Sequence, residues 1–271
     1  MSFENGPPLP ETLGLAGAEL SADNLGHSEA RVWHVAWPDG RQAYLKAQPE
    51  LGSATESQAG PAVSLARDRE LLGWLKGRVP VPEVLGFASE EGMEYLLMSV
   101  VPGQPASDGE FLLVPEQTLP LLAQALKQLH ALPIADCPFE IGLAQKLTLA
   151  RQHLEQGLVD AQGFQEIFQG LSAVELYAHL QAALPQQPED LVFTHGDACL
   201  PNFLIAAGRF QGFIDLGYAG VADRWQDLAL LVRSLYRNGY TAEHARLCLA
   251  SYGTELNQEK LDFYLLLDEF F

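Results

Sequence analysis

Thr194-His195-Gly196-Asp197-Ala198-Cys199-Leu200-Pro201-Asn202, followed by Phe213-Ile214-Asp215-Leu216-Gly217, sets an acid, an amide and a second acid at spacings that suit movement of a phosphoryl group. A carboxylate at Asp197 can orient an attacking hydroxyl and accept its proton. Asn202, five positions on, offers a neutral amide oxygen, and Asp215, thirteen beyond that, offers a charged one at the end of an apolar strand. Such a pair suits a hard cation such as Mg2+ that bridges nucleotide phosphates. Gly196-Asp197 alone would read as a turn and Asn202 as a capping residue. Joined to the Phe213–Gly217 strand end, the chemical reading is the stronger one. His195 reads as a scaffold that hydrogen-bonds backbone, not as a proton carrier.

Short strands frame this block: Leu191 to Thr194 before the first acid, Phe203 to Ile205 after the amide, and Phe210 to Ile214 before the second acid. The second half of the chain is otherwise helical. Helices are predicted over Leu119 to Leu132 (stopped by Pro133), Gly142 to Gln156, Phe164 to Phe168, Val174 to Leu184, Asp223 to Tyr236, Thr241 to Tyr252 and Gln258 to Phe271. The first half reads mostly as strands. Arg31 to Trp37 alternates, Pro38-Asp39-Gly40 turns, and Gln42 to Lys46 returns. A helix is predicted from Gln58 to Leu75 with Leu65, Leu71, Leu72 and Leu75 on its buried face, then strands at Val84 to Ala88 and Tyr95 to Val100. Pro102-Gly103-Gln104-Pro105 reads as a linker. The expected architecture is α+β: a small N-terminal antiparallel-sheet lobe (1–101), then a larger, mainly helical C-terminal lobe (102–271) with the chemistry on its loops.

Bulk properties narrow the class. A chain of 271 residues can bury a substantial core. It lacks the apolar run of ~18 residues that a membrane helix needs, and Met1 to Pro10 lacks the basic and apolar parts of a secretory signal. Cys137, Cys199 and Cys248 are too scattered for a metal cluster and odd in number for a disulfide framework, which points to a reducing cytoplasm. Sixteen Lys and Arg against 35 Asp and Glu leave a net charge of −19. That field disfavours nucleic acid and anionic membranes as partners and attracts polycations, although a merely acidic surface would look the same.

Four segments resemble the aminoglycoside 3′-phosphotransferases: Thr194 to Asn202, Gly212-Phe213-Ile214-Asp215, Gly220 to Ala229, and the closing Leu267-Asp268-Glu269-Phe270-Phe271. The resemblance spans nearly the whole chain. It implies a protein-kinase-like two-lobe fold and transfer of the γ-phosphate of ATP, with Mg2+, to an aminoglycoside hydroxyl. In the first half it implies that Lys46 contacts the α- and β-phosphates. Tyr44, on the same strand face, would stack on adenine, though the position also suits a core tyrosine. Gly26-His27-Ser28-Glu29-Ala30 resembles the loop that covers the phosphates, with Ser28 on it. Met98-Ser99-Val100-Val101 matches the connector between lobes, so the Ser99 carbonyl and Val101 amide would pair with the adenine edge. The family has a glutamate six residues before the helix tryptophan, here Trp74, where this chain has the shorter Asp68. Asp68 is the expected partner of Lys46. Glu70, roughly 200° round the helix, is the fallback.

An acceptor carrying several ammonium groups calls for carboxylates, because charge-assisted hydrogen bonds to amines are strong and directional. Asp268, Glu269 and the carboxylate of Phe271 would supply three, on a tail that the apolar Phe263 to Leu267 should pack down. The resemblance adds Glu166 from a helical insertion, beside Gln165 where some relatives have an acid. It also adds Arg233 near the substrate rings, followed here by Ser234 and not by an acid. The whole implies a cytoplasmic kinase, monomer or weak dimer, that acts on kanamycin- and neomycin-type aminoglycosides and confers antibiotic resistance. The alternative is a same-fold kinase of another small amine or sugar, such as choline, homoserine or fructosamine. A catalytically dead ATP-binding module would lack one of Lys46, Asp197, Asn202 or Asp215, and all four are present.

Overall fold

The computed structural model describes residues 9–23, 30–50 and 64–271. Strands β1 (Glu19–Asp23), β2 (Arg31–Ala36) and β3 (Gln42–Pro49) run antiparallel in sequence. Helix α1 (Leu65–Leu75) follows, then β4 (Val84–Glu90) and β5 (Met93–Ser99), which complete a five-stranded sheet in the order β1-β2-β3-β5-β4. The period-two pattern decides its faces: Ala43, Leu45 and Ala47 are buried, while Tyr44, Lys46 and Gln48 point the other way. The predicted strands of this half are all present, and β1 is an addition to them.

Helix α1 begins abruptly. Ser64 is extended and its Oγ accepts the Arg67 N–H at 3.1 Å, while buried Glu94 accepts the Leu65 N–H at 2.7 Å. The helix therefore does not run through residue 64, and the part predicted for 58–63 lies outside the described residues. Its four predicted leucines are all buried.

The rest of the chain builds β6 (Gln104–Pro105), α2 (Gly109–Leu112), α3 (Pro115–His130), α4 (Leu143–Gln156), α5 (Ala173–Ala182), β7 (Leu191–Thr194), β8 (Phe203–Ala206), β9 (Arg209–Phe213), β10 (Gly220–Asp223), α6 (Trp225–Arg237), α7 (Ala242–Tyr252) and α8 (Gln258–Asp268). Strands β6, β8 and β9 form one small sheet, and β7 pairs with β10. The Pro102–Pro105 stretch is therefore no slack linker. Gln104 and Pro105 pair with Ile205 and Leu204, and a side chain at Gly103 would meet the Ile205 carbonyl at 2.7 Å.

Several predicted helices are shorter than expected. Phe164 to Phe168 yields only a 3₁₀ turn over Glu166–Phe168. The helix expected from Asp223 starts at Trp225, because residues 220–223 pair with β7 and Asp223 Oδ1 accepts the Trp225 N–H at 2.9 Å. The last helix stops at Asp268, and the Phe271 N–H closes onto the Asp268 carbonyl at 3.2 Å.

The core is not split where the sheets are. Leu65, Leu71, Leu72 and Leu75 of α1 and Leu96 and Met98 of β5 belong to one apolar cluster with Leu119, Phe193, Phe213 and Leu231. A smaller cluster of Val35, Ala43, Leu45, Ala47, Tyr95 and Leu97 backs the five-stranded sheet. No helix among the described residues is long and apolar enough to cross a membrane.

Candidate active site

Asp197 sits on the loop between β7 and the 3₁₀ turn Leu200–Asn202, and that loop is held by its backbone. Gly196 has φ +85, and a Cβ there would lie 2.1 Å from the Tyr218 carbonyl oxygen, so glycine alone fits. The N–H groups of His195 and Gly196 donate to buried Asp227 at 2.6 and 2.8 Å. His130 Nε2 meets the same carboxylate at 2.9 Å, and its Nδ1 meets the Tyr252 hydroxyl at 2.8 Å. Burial alone would push the Asp227 carboxyl up, but the His130 hydrogen bond and the charge beside it hold it below the usual carboxylate range. The Leu200 N–H donates to Ser234 Oγ at 2.9 Å. Asp227, His130 and Ser234 were given no role from sequence. For Asp227 the sequence offers its place in the resembling segment Gly220 to Ala229 and the unbroken apolar run Leu228 to Val232 beside it.

His195 Nε2 lies 3.0 Å from the Ile214 carbonyl, which can only accept, so that nitrogen carries the hydrogen. Its Nδ1 accepts the Asp197 N–H at 3.3 Å. Both ring nitrogens thus serve the backbone, as the scaffold reading expects. Asn202 Nδ2 donates to the Asp197 carbonyl and to Asp197 Oδ2, both at 2.9 Å. The nitrogen makes both bonds, leaving the amide oxygen as the atom a cation would take.

On the sheet side, Lys46 of β3 forms an ion pair with Asp215, which holds the left-handed φ of +59. Burial works against both charges, yet their attraction wins: the Lys46 ammonium is raised and the Asp215 carboxyl lowered from their ordinary values. This corrects the expected Lys46–Asp68 pair. Asp68 is buried beside Lys46 and feels its charge, but its Oδ1 has no hydrogen-bond partner among the described residues. Burial pushes its carboxyl up to about 6, against the pull of Lys46. Glu70 is no substitute, since it faces solvent and pairs weakly with Arg69 at 3.7 Å.

Tyr44 shares the Lys46 face of β3 and packs edge-on against His34, with ring centroids 5.4 Å apart. Ser99 ends β5, its Oγ accepting the Glu83 N–H at 2.9 Å, and the Val101 side chain lies over Gly212 of β9. Ser28 lies outside the described residues. No group of three or more His, Cys, Asp or Glu suited to a metal occurs among the described residues. The donors on offer are the Asn202 oxygen and the Asp215 carboxylate, a set that fits Mg2+, which takes hard oxygens and keeps several waters.

The tail acids are not free. Asp268 forms an ion pair with Arg233. Glu269 accepts the Gln165 backbone N–H at 3.0 Å and also that residue's side-chain amide. Glu166 itself is exposed on its 3₁₀ turn. The packing expected of the tail is present: Phe270 is buried with its carbonyl 2.6 Å from His153 Nδ1, and the Phe271 ring lies edge-on to His153 at 5.3 Å. Lys146 of α4, which sequence did not single out, places its ammonium 5.2 Å from the Phe271 ring centroid. Desolvation lowers that ammonium from the usual lysine range, against the attraction of Asp268, Asp227 and Asp197. Cys199 joins the two sides. Burial, then the neighbouring Asp197, pushes its thiol up to about 12, while Arg233 and Asp268 also act on it.

Known proteins resemble most of the length of this chain. Residues 22–264 match the model of the phosphotransferase enzyme family. An aminoglycoside 3′-phosphotransferase of Niallia circulans is 38% identical over 96% of both chains. The crystal structure of an aminoglycoside-3′-phosphotransferase of type VIII superposes with a TM-score of 0.82 at 33% identity, covering 94% of each chain. The aminoglycoside phosphotransferase APH(3'')-Id of Streptomyces rimosus, solved with ADP and streptomycin, gives 0.79 at 28% identity, covering 94% of this chain and 93% of its own.

Proposed function

The chain belongs to the phosphotransferase enzyme family, and we propose that it moves the γ-phosphate of ATP to the 3′-hydroxyl of kanamycin- and neomycin-type aminoglycosides, conferring resistance to them. The observation that carries this reading is the setting of Asp197. Its carboxylate is oriented by the neutral Asn202 amide. The Tyr218 phenol feels Asp215, Asp197 and Asp268 together, which supports one reaction centre near both the Lys46–Asp215 and the Arg233–Asp268 pair.

Asp197 accepts a hydrogen bond from the attacking hydroxyl and takes its proton as the new P–O bond forms. Asn202 keeps that carboxylate aimed while its own oxygen stays available. Lys46 holds the α- and β-phosphates, Ser28 contributes to holding them, and Asp68 balances the Lys46 charge. Tyr44 stacks on adenine, whose edge pairs with the Ser99 carbonyl and the Val101 amide. Asn202 and Asp215 would hold Mg2+, which when bound neutralises charge on the phosphates. Asp268, Glu269 and Glu166 take the ammonium groups of the acceptor, Phe271 lines the same site, and Arg233 lies by its rings. Residues 1–101 then serve the nucleotide, and residues 102–271 serve catalysis and the acceptor. Catalysis is positioning plus charge stabilisation, with little covalent work for the protein.

The test is a kinetic panel with ATP. Kanamycin and neomycin should be phosphorylated and drugs without a 3′-hydroxyl should not. Turnover confined to 3′-deoxy drugs, or to choline, homoserine or fructosamine, overturns the reading.

A further inference from the structure

We propose that Arg67 is a positioning residue that fixes the Asp215 loop from helix α1, and so sets the strength of metal-dependent nucleotide binding. Its guanidinium donates to two backbone carbonyls just beyond Asp215, those of Gly217 and of Ala219, the latter at 2.7 Å. The guanidinium carbon also sits 5.3 Å from the Phe139 ring centroid. Phe139 is tied to the same stretch of chain, since its carbonyl accepts the Val221 N–H at 2.8 Å. One side chain thus grips the segment leaving Asp215 through two carbonyls and an aromatic face.

The grip has a fixed base. Seven residues along α1, Trp74 stacks on Phe193 of β7 with centroids 4.8 Å apart, so the helix is docked at both ends. Asp68, beside Lys46, is the next residue to Arg67. The helix that carries an acid to Lys46 therefore also holds the loop of the second acid that Lys46 meets. Carbonyl acceptors suit positioning: they fix the cation's direction without cancelling its charge, and hydrogen bonds from a charged donor are the strong ones. A lysine presents a compact point charge and cannot reproduce the planar fork. Asp215 itself has left-handed φ, an uncommon conformation for a non-glycine residue.

The inference rests on the reading that Asp215 is a metal ligand, and the experiment separates the two. Arg67→Met, Arg67→Lys, Asp215→Asn and, as a control on the same helix, Arg69→Met are compared in the full chain. ADP affinity is measured by calorimetry with and without Mg2+, alongside amide exchange over residues 216–220 and kinetics with kanamycin. For Arg67→Met the gain in ADP affinity on adding Mg2+ should shrink about tenfold, the worth of one charge-assisted hydrogen bond. Metal-free ADP affinity and the kanamycin KM should stay unchanged, kcat should fall, and exchange over 216–220 should quicken. Arg67→Lys should recover part of the Mg2+ gain, and Arg69→Met should match the wild type. An unaltered Mg2+ gain in Arg67→Met, or a loss equal in Arg69→Met, overturns the proposal. If Asp215→Asn keeps the full Mg2+ gain, the ligand reading fails, whatever Arg67 does. Should Arg67→Met not fold, Arg67→Lys against Arg69→Met decides by the same two measurements.

Discussion

At the catalytic loop, the Asp197 carboxylate is held by the neutral Asn202 amide, and the loop's backbone is fixed from behind by buried Asp227. At the chain's end, Asp268 is closed onto a guanidinium and Glu269 onto the amides of Gln165. A neutral donor aims an acid without cancelling its charge, whereas a cation cancels what it aims. On the proposed reading, the loop therefore keeps a base ready for a proton. On the same reading the tail trades one partner for another, and an incoming ammonium would displace or share Arg233. Exchange between partly exposed ion pairs leaves a small net energy, so discrimination on this side rests on geometry and number of contacts.

The hardest test of the contrast is Asp197→Ala. Removing the ready base should lower kcat about a thousandfold, within the range of general-base catalysis, while ADP binding measured by calorimetry stays close to wild type. A matching loss of ADP affinity would mean that the loop acid also serves the nucleotide.

Asp68 extends the comparison to an acid with an unpartnered oxygen. Its folded-state carboxyl lies at about 6 against an ordinary 3.8. The folded state thus holds this proton more tightly than the unfolded chain does. The cost of ionising Asp68 is absent below pH 4, grows between 4 and 6, and is complete above 6, at about 3 kcal/mol. Asp68→Asn should accordingly be more stable than wild type in denaturant titrations at pH 8, and the gain should vanish at pH 4. In the wild type, the ATP KM should rise as pH falls through about 6, because protonated Asp68 no longer balances Lys46, and Asp68→Asn should flatten that rise. Asp68→Glu should keep its phosphorylating activity. A collapse there would show that the shorter side chain is required.

On the tail, removal of Phe271 should raise the acceptor KM about tenfold, because its ring, packed against His153 and beside Lys146, steadies the tail acids, with the ATP KM unmoved. Equal losses for both substrates would erase the distinction between the two sides. The mildest effect belongs to Lys146→Met. Taking one ammonium from among the tail acids should lower the KM for neomycin about threefold, on the scale of a weak ion pair. A risen KM would assign Lys146 to binding.

Much of this was legible in sequence because it is local. Asp197, Asn202 and Asp215 are read from spacing along one stretch, and the strand bearing Tyr44 and Lys46 from simple alternation. What sequence left hidden is pairing across distance. Lys46 meets Asp215 from 169 positions away, Arg233 meets Asp268 from 35, and Gln165 meets Glu269 from 104. Those choices depend on where loops arrive, and no periodicity encodes that. Strand β10 is hidden for a related reason: its four residues are a strand because β7 lies alongside and Phe139 to Ile141 pair with Val221. Asp227 shows the third kind of omission, an acid whose role appears only when two backbone N–H groups are seen pointing at it.

The apolar cluster that takes in the leucines of α1 as well as the helices beyond residue 101 bears on how the molecule comes apart. Two lobes visible by their sheets share one interior, so heating should give a single calorimetric transition, with van't Hoff and calorimetric enthalpies in agreement. The first hundred residues, expressed alone, would expose the apolar face of α1 and should aggregate instead of folding as a portable nucleotide-binding module.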